Sequence, residues 1–270
     1  MENIVNIEGR AFRLDRVEAT RNSGGRLSKI WITDVSDNRY LVKSSTLFNK
    51  EPYSEVMAYH IGRVLGFNVL EYRLISAEYF KDVLPRGIKC KHVSVCRDIN
   101  SQGCDLVTIT NLKNQLNLMS GVKYSNQDVM EKYLSKEYID RMLFFDAIIG
   151  NKDRHYRNIH IFKDNYGNTF EAPIIDNGDS LLATDVIGGI HIVGSYLANK
   201  YNKSCTLYNN HDKQMEYITT INTIGVDTDA LVRKCIAEIT PTLKLLGRVR
   251  AQEIVTYLSY RIYKYYNWFR

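Results

Sequence analysis

The stretch Gly150-Asn151-Lys152-Asp153-Arg154-His155-Tyr156-Arg157-Asn158 decides how this chain is read. Upstream, residues 126–149 carry Val129, Met130, Tyr133, Leu134, Leu143, Ala147 and Ile148 at a spacing that predicts one long, mostly buried helix. Gly150 ends it, as glycine commonly ends helices. Downstream, residues 159–162 read as a strand, so the quoted stretch is a helix-to-strand loop. Both ends of that loop bear ionisable or amide groups for which packing offers no reason.

Further along, residues 159–162 and 169–175 form a predicted hairpin around a turn at 164–168, where Gly167 can adopt a positive φ. The hairpin leads to Asp176, followed by Asn177, Gly178 and Asp179. In protein-kinase catalytic loops an Asp that receives the hydroxyl proton precedes by five residues an Asn that ligates magnesium, and a second Asp ligand follows a hairpin. Asp153, Asn158 and Asp176 have that order. Magnesium favours oxygen ligands and keeps several waters, so one amide oxygen, one carboxylate and the ATP phosphates suffice.

Upstream, Gly24 and Gly25 let backbone N–H groups approach phosphate, with Lys29 just beyond. Lys43 ends the strand-like run Arg39-Tyr40-Leu41-Val42-Lys43, and Glu55 lies in the first turn of a predicted helix that starts near Pro52 and runs to Gly66. A kinase pairs such a lysine with such a glutamate. Each feature alone has a plainer explanation: a Gly-Gly turn, a solvated lysine, a glutamate favoured by the helix dipole. Their order along the chain is what singles them out. His155 is expected to structure the loop through its backbone, and His160 to be a packing or surface residue, since neither has a second His or Cys at ligand spacing.

Composition sets the outer limits. With 270 residues, 44% hydrophobic and 24% charged, the chain can bury a sizeable core in one domain or two intimately packed lobes. Its amino terminus lacks a signal-peptide pattern, and its most apolar run, 142–149, is interrupted by Asp146 and far shorter than the roughly 20 residues of a membrane span. A soluble cytoplasmic protein without membrane partners is expected. Five cysteines without a C-x-x-C pair argue against a disulfide framework or a cysteine zinc site. The net charge of +6 comes from residues 231–270, which hold eight Lys/Arg against two Glu. There Ala251, Ile254, Val255, Leu258, Ile262, Tyr265 and Phe269 recur at helical spacing, so Arg250, Glu253, Arg261 and Lys264 are expected on solvated faces rather than on a nucleic-acid surface.

The predicted fold class is α+β: a bilobal protein-kinase-like fold with a strand-rich N-lobe holding one helix, residues 1–99, and a mainly helical C-lobe, residues 100–270. The N-lobe strands include 29–33 and 39–43 around a turn at 34–38, then 69–77 and 87–95; a polar crossing segment spans about 95–125; helices dominate after residue 181.

Two stretches carry a family resemblance: Asp146-Ala147-Ile148-Ile149-Gly150-Asn151-Lys152-Asp153-Arg154-His155 through Asn158, and Ala172-Pro173-Ile174-Ile175-Asp176-Asn177-Gly178. Together they resemble the HipA-like kinases, including the shorter CtkA-like branch, over roughly residues 22–182. The resemblance implies Asp153 as base, Asn158 and Asp176 as metal ligands, ATP and Mg2+ as cofactors, and an adenine-facing hinge near Cys96 to Ile99. It further implies phosphate transfer to a protein Ser or Thr, including self-phosphorylation near the phosphate loop, with Ser23 and Ser28 as candidates. A small-molecule kinase and a non-catalytic nucleotide-binding module are the alternatives. An antitoxin-like regulator belongs to the longer members, whose extra amino-terminal subdomain this chain does not display.

Overall fold

A computed structural model describes residues 4–7, 9–19, 29–45, 50–84, 90–100, 103–185 and 193–269. Six strands, β1 (Ile4–Ile7), β2 (Arg10–Ala19), β3 (Lys29–Asp34), β4 (Arg39–Lys43), β5 (Arg73–Ser76) and β6 (His92–Arg97), form an antiparallel sheet in the order β1-β2-β3-β4-β6-β5. The period-two burial of Ile30, Ile32 and Asp34 on β3 faces one side of the sheet inward. The expected β3–β4 hairpin is present, with Lys29 opposite Lys43. Its turn is held by the Asp34 carboxylate, which accepts the backbone N–H groups of Ser36 and Asn38 at 2.9 Å each.

Helix α1 (Glu51–Leu65) fits its expected bounds: Pro52 lies in the first turn, where its missing N–H costs nothing, and Gly66 closes the helix at φ 73°. The 69–77 and 87–95 runs shift. Val69 makes only a parallel bridge to Ile174, β5 begins at Arg73, and β6 runs from His92 to Arg97. The bridge matters because Leu70 N–H and Ile174 N–H each bond across it, at 3.0 and 2.8 Å, tying the first part of the chain to the second.

The second part contains a small antiparallel sheet, β7 (Cys104–Thr108), β8 (His160–Asp164) and β9 (Thr169–Glu171), and helices α2 (Ile109–Ser120), α3 (Asn126–Tyr133), α4 (Lys136–Ile149), α5 (Gly194–Lys200), α6 (His211–Tyr217), α7 (Thr228–Leu243) and α8 (Arg248–Tyr266). The crossing segment is therefore structured by β7 and α2 rather than merely polar. The long helix expected over 126–149 is two helices. Leu134 is extended, and the Ser135 hydroxyl accepts the Tyr138 N–H at 3.1 Å, so a serine cap starts α4 where the apolar spacing alone ran on. The second hairpin strand stops at Glu171, before Pro173.

Helix α4 is buried from Met142 to Ile149 and is enclosed by α6 and α8. The solvated faces expected on α8 need correction. Glu253 and Arg261 are buried, 2% and 0% exposed. Arg261 lies between the rings of Tyr257 and Tyr265, 5.1 and 5.2 Å from their centroids, and donates to the Ala147 carbonyl. Part of the basic excess is thus internal, and periodicity could not reveal it because a guanidinium can be buried when aromatic faces and carbonyls receive it. All five cysteines are free thiols, and no described helix is long and apolar enough to cross a membrane.

Candidate active site

The loop after α4 starts from a close approach. Gly150 has φ 64°, and a Cβ there would meet the Tyr257 hydroxyl at 2.0 Å, so only glycine fits both demands. Asn151, fully buried, then organises the turn: its N–H bonds the Asp146 carbonyl at 3.0 Å, and its side-chain oxygen accepts the Asp153 N–H at 3.0 Å. Asp153 is left with its carboxylate 54% exposed at the loop's crest. Asn158 returns to it, its amide nitrogen donating to the Asp153 carbonyl at 2.8 Å, which leaves the amide oxygen for other partners.

Beneath the crest lies Arg154, 1% exposed. Its Nε and Nη2 donate to the buried Asp146 carboxylate at 3.0 and 3.1 Å. Nη1 donates to the Asn158 carbonyl at 3.1 Å and to the Ile175 carbonyl, and Nη2 also reaches the Asn177 side chain. One guanidinium therefore fastens the loop to the segment after β9 that carries Asp176. The sequence reading missed Arg154. The signal was Asp146, a carboxylate inside the most apolar run, which must find a buried cation. His155 does not take the backbone role expected of it. Among the described residues its Nδ1 has no partner and its Nε2 faces Asp153 at 3.7 Å, because Arg154 and Asn158 already occupy the loop carbonyls.

Asp176 has φ 62°, a left-handed conformation that is costly for a residue with a Cβ and that clusters at functional sites. Lys43 holds it there. The lysine, 3% exposed, donates to Asp176 at 2.8 Å and to Glu55 at 2.7 Å. Glu55 in turn accepts the Asn177 N–H at 2.8 Å, and a Cβ at Gly178 would stand 3.5 Å from its carboxylate. Burial would strip Lys43 of its proton, but the Asp176 and Glu55 carboxylates outweigh it and push its pKa well up. Burial likewise opposes ionisation of Asp176, and Lys43 with Lys29 overcomes it, holding that carboxyl well below the usual range. Asp153 moves the other way: burial first, then Asp179 and Asp176, raise it against the pull of His155 and Arg154.

The remaining expected residues fall around this cluster or outside the description. Lys29 sits opposite Lys43 and acts on Asp176. Cys96 is buried on β6 beside Tyr72, whose ring lies 4.7 Å from the Lys43 ammonium, and Ile99 is half-buried just past β6. Gly24, Gly25, Ser23 and Ser28 lie outside the described residues. His160, on β8, has a buried Nδ1 without a partner among the described residues, and burial lowers its pKa to about 4.

The segment after Asp176 is stapled from three sides. Ser54 of α1 donates to the Ser180 carbonyl at 2.6 Å. Lys152 reaches both Asp185 oxygens and the Thr184 hydroxyl at 2.9 Å, and Arg250 of α8 donates to the Asp185 carbonyl at 2.8 Å.

No family model matches the chain, and no curated protein matches it. Among solved structures, the Helicobacter pylori proinflammatory kinase CtkA superposes with a TM-score of 0.64 at 20% identity, covering 93% of this chain and 94% of that one. Looser likenesses are a Golgi casein kinase, with TM-score 0.45, 14% identity and coverages of 91% and 71%, and HipA of Shewanella oneidensis in complex with HipB and operator DNA, with TM-score 0.42, 12% identity and coverages of 89% and 64%. The CtkA superposition establishes the fold: α+β, bilobal and kinase-like.

Proposed function

We propose that this chain, having a HipA/CtkA-like kinase fold, transfers the γ-phosphoryl group of ATP to a Ser or Thr hydroxyl of a protein. The observation that carries the proposal is the meeting of Lys43, Glu55 and Asp176, drawn from β4, α1 and the segment after β9, in one largely buried ion cluster beside Asp153. Burying three charges is costly unless they are mutually paired, and such an arrangement has a use where phosphate charge must be received.

Phosphoryl transfer asks little covalent chemistry of the protein; positioning and charge neutralisation do most of it. Lys43 bridges Glu55 and Asp176 and would steady phosphate oxygens. Glu55 orients Lys43 and, through the Asn177 N–H, the backbone beside Asp176. The residues fit a magnesium ion: Asp176 is held ionised, Asn158 keeps its amide oxygen free by donating its nitrogen, and both offer the hard oxygen donors that magnesium prefers. Bound there, the ion would neutralise phosphate charge. Asp153, exposed on the crest, would receive the acceptor's proton as the new P–O bond forms, and its raised pKa makes it a better proton acceptor than an ordinary carboxylate.

The test is phosphate transfer from γ-labelled ATP with magnesium, using the wild type beside Asp153→Asn and Asp176→Asn, alone and with lysate proteins. Label on protein, lost by a factor on the order of 10² or more in Asp153→Asn, is expected. Equal transfer by the wild type and both variants would refute the assignment.

A further inference from the structure

The loop between α5 and α6 is packed against the catalytic loop. Lys203 and Asn210 form a bridge across it, and the Ser204 N–H bonds the Asn209 carbonyl at 3.0 Å, closing a compact turn. Thr206, buried at its tip, donates to the Arg154 carbonyl at 2.7 Å. Cys205 lies close enough to Asp153 for the carboxylate to reinforce burial in pushing its thiol up to about 12. The loop therefore borders the catalytic loop beside Asp153.

On its outer side is an open concavity of about 560 Å³ whose charged lining is Lys200, Lys203, Lys213 and Asp212. The single acid is already engaged, since Lys264 approaches Asp212 at 2.7 Å and the Tyr265 hydroxyl donates to it at 3.0 Å. The three lysines are exposed. Among the described residues Lys203 and Lys213 make no ion pair, and Lys200 meets only tyrosines, with the Tyr196 hydroxyl at 3.2 Å. Arg157, inside the catalytic loop, is exposed and also without an ion pair among the described residues. By contrast, the carboxylates on the other flank have cations within the protein: Asp176 shares Lys43 with Glu55, and Asp185 shares Lys152 with Asp179. The charged groups lining the concavity that lack an ion pair among the described residues are all lysines.

We infer that the acceptor is an acidic protein segment, a Ser or Thr flanked by Asp or Glu, whose carboxylates lie over Lys200, Lys203, Lys213 and Arg157 while its hydroxyl meets Asp153. The inference rests on the kinase reading and adds the substrate class. In the step itself, the bond from the γ-phosphorus to the β–γ bridging oxygen breaks, a bond to the acceptor oxygen forms, the hydroxyl proton passes to Asp153 and ADP leaves. Opposite charges across an open surface contribute to encounter and register more than to tight binding, so the effect belongs on KM for the acceptor.

The experiment is a positional peptide mixture with a fixed central Ser, labelled by the full chain with γ-labelled ATP and magnesium, repeated with K200E/K203E/K213E. Selection of Asp and Glu at flanking positions is expected. For an acidic peptide the triple variant should raise KM by roughly 3- to 100-fold, since each exposed pair is worth about 1.4- to 5-fold, with the change in kcat far smaller. Its preference should move toward Lys and Arg flanks, a reversal that simple loss of structure cannot produce. Labelling without acidic preference overturns the inference while leaving the kinase reading intact. So does Asp153-dependent ATP turnover with no peptide labelled, or salt-sensitive RNA binding lost in the triple variant with peptide selection unchanged. No ATP turnover at all would remove the kinase reading, and the acidic acceptor with it.

Discussion

Replacing Asp146 by Asn should destabilise the protein through Arg154. The carboxylate is 0% exposed and accepts two guanidinium N–H groups at 3.0 and 3.1 Å and the Asn151 amide at 3.2 Å. Asn keeps the shape but removes the charge, leaving a guanidinium 1% exposed without a counter-ion. Removing one partner of a buried pair costs about 3–5 kcal/mol. The lower end is expected here, because the carbonyls of Asn158 and Ile175 and the Asn177 side chain still receive Arg154. A loss of about 3 kcal/mol lowers Tm by roughly 6–12 °C in a chain of this order of size. Denaturant unfolding of the wild type, Asp146→Asn, Asp146→Leu, Arg154→Met and Asp146→Leu/Arg154→Met measures it. The double variant should lose clearly less than the sum of Asp146→Leu and Arg154→Met, since deleting both charges strands neither. A cost below about 1 kcal/mol for Asp146→Asn, or strict additivity in the cycle, would refute the buried-pair argument.

Other expectations follow from the same geometry. Asp153 must be ionised to accept a proton and its pKa is raised from 3.8, so kcat/KM should fall as pH drops through a value above 3.8, measured as the acid limb of the profile and absent from the residual activity of Asp153→Asn. Asp176 is held well below 3.8, so its pairing stabilises the fold fully above its unfolded value and the benefit is lost as pH falls through the lowered native one; the stability gap between wild type and Lys43→Met should persist at pH 5–7 and close only below about pH 4. Gly150→Ala combines a left-handed backbone with a 2.0 Å approach to Tyr257 and should cost roughly 2–5 kcal/mol in chemical denaturation. Lys152→Met releases Asp185 and Thr184, so amide exchange should quicken over residues 179–185 while the β3–β4 hairpin is unaffected.

What the chain spells out locally was legible without coordinates. The β3–β4 turn needs only Asp34 and its neighbours, α1 needs Pro52 and Gly66, and the Asp153–Asn158 spacing is a property of one loop. The ordered appearance of Lys43, Glu55 and Asp176 pointed to a cluster that the structure closes at 2.7 and 2.8 Å. The break at Ser135 was legible in principle, since a serine cap is a local signal, but an unbroken apolar spacing masked it. Tertiary structure alone decided the rest. Arg154 is a buried clamp and Arg261 a core residue only because particular carbonyls, carboxylates and tyrosine rings converge on them from segments far apart in sequence, as Asn177 does for Arg154 and Ala147 for Arg261. The seating of the 202–210 loop beside Asp153 depends in the same way on the Thr206–Arg154 contact, 52 residues apart. Periodicity reports which face of an element is apolar; which charged group can afford burial depends on partners that only the folded chain brings within hydrogen-bond reach.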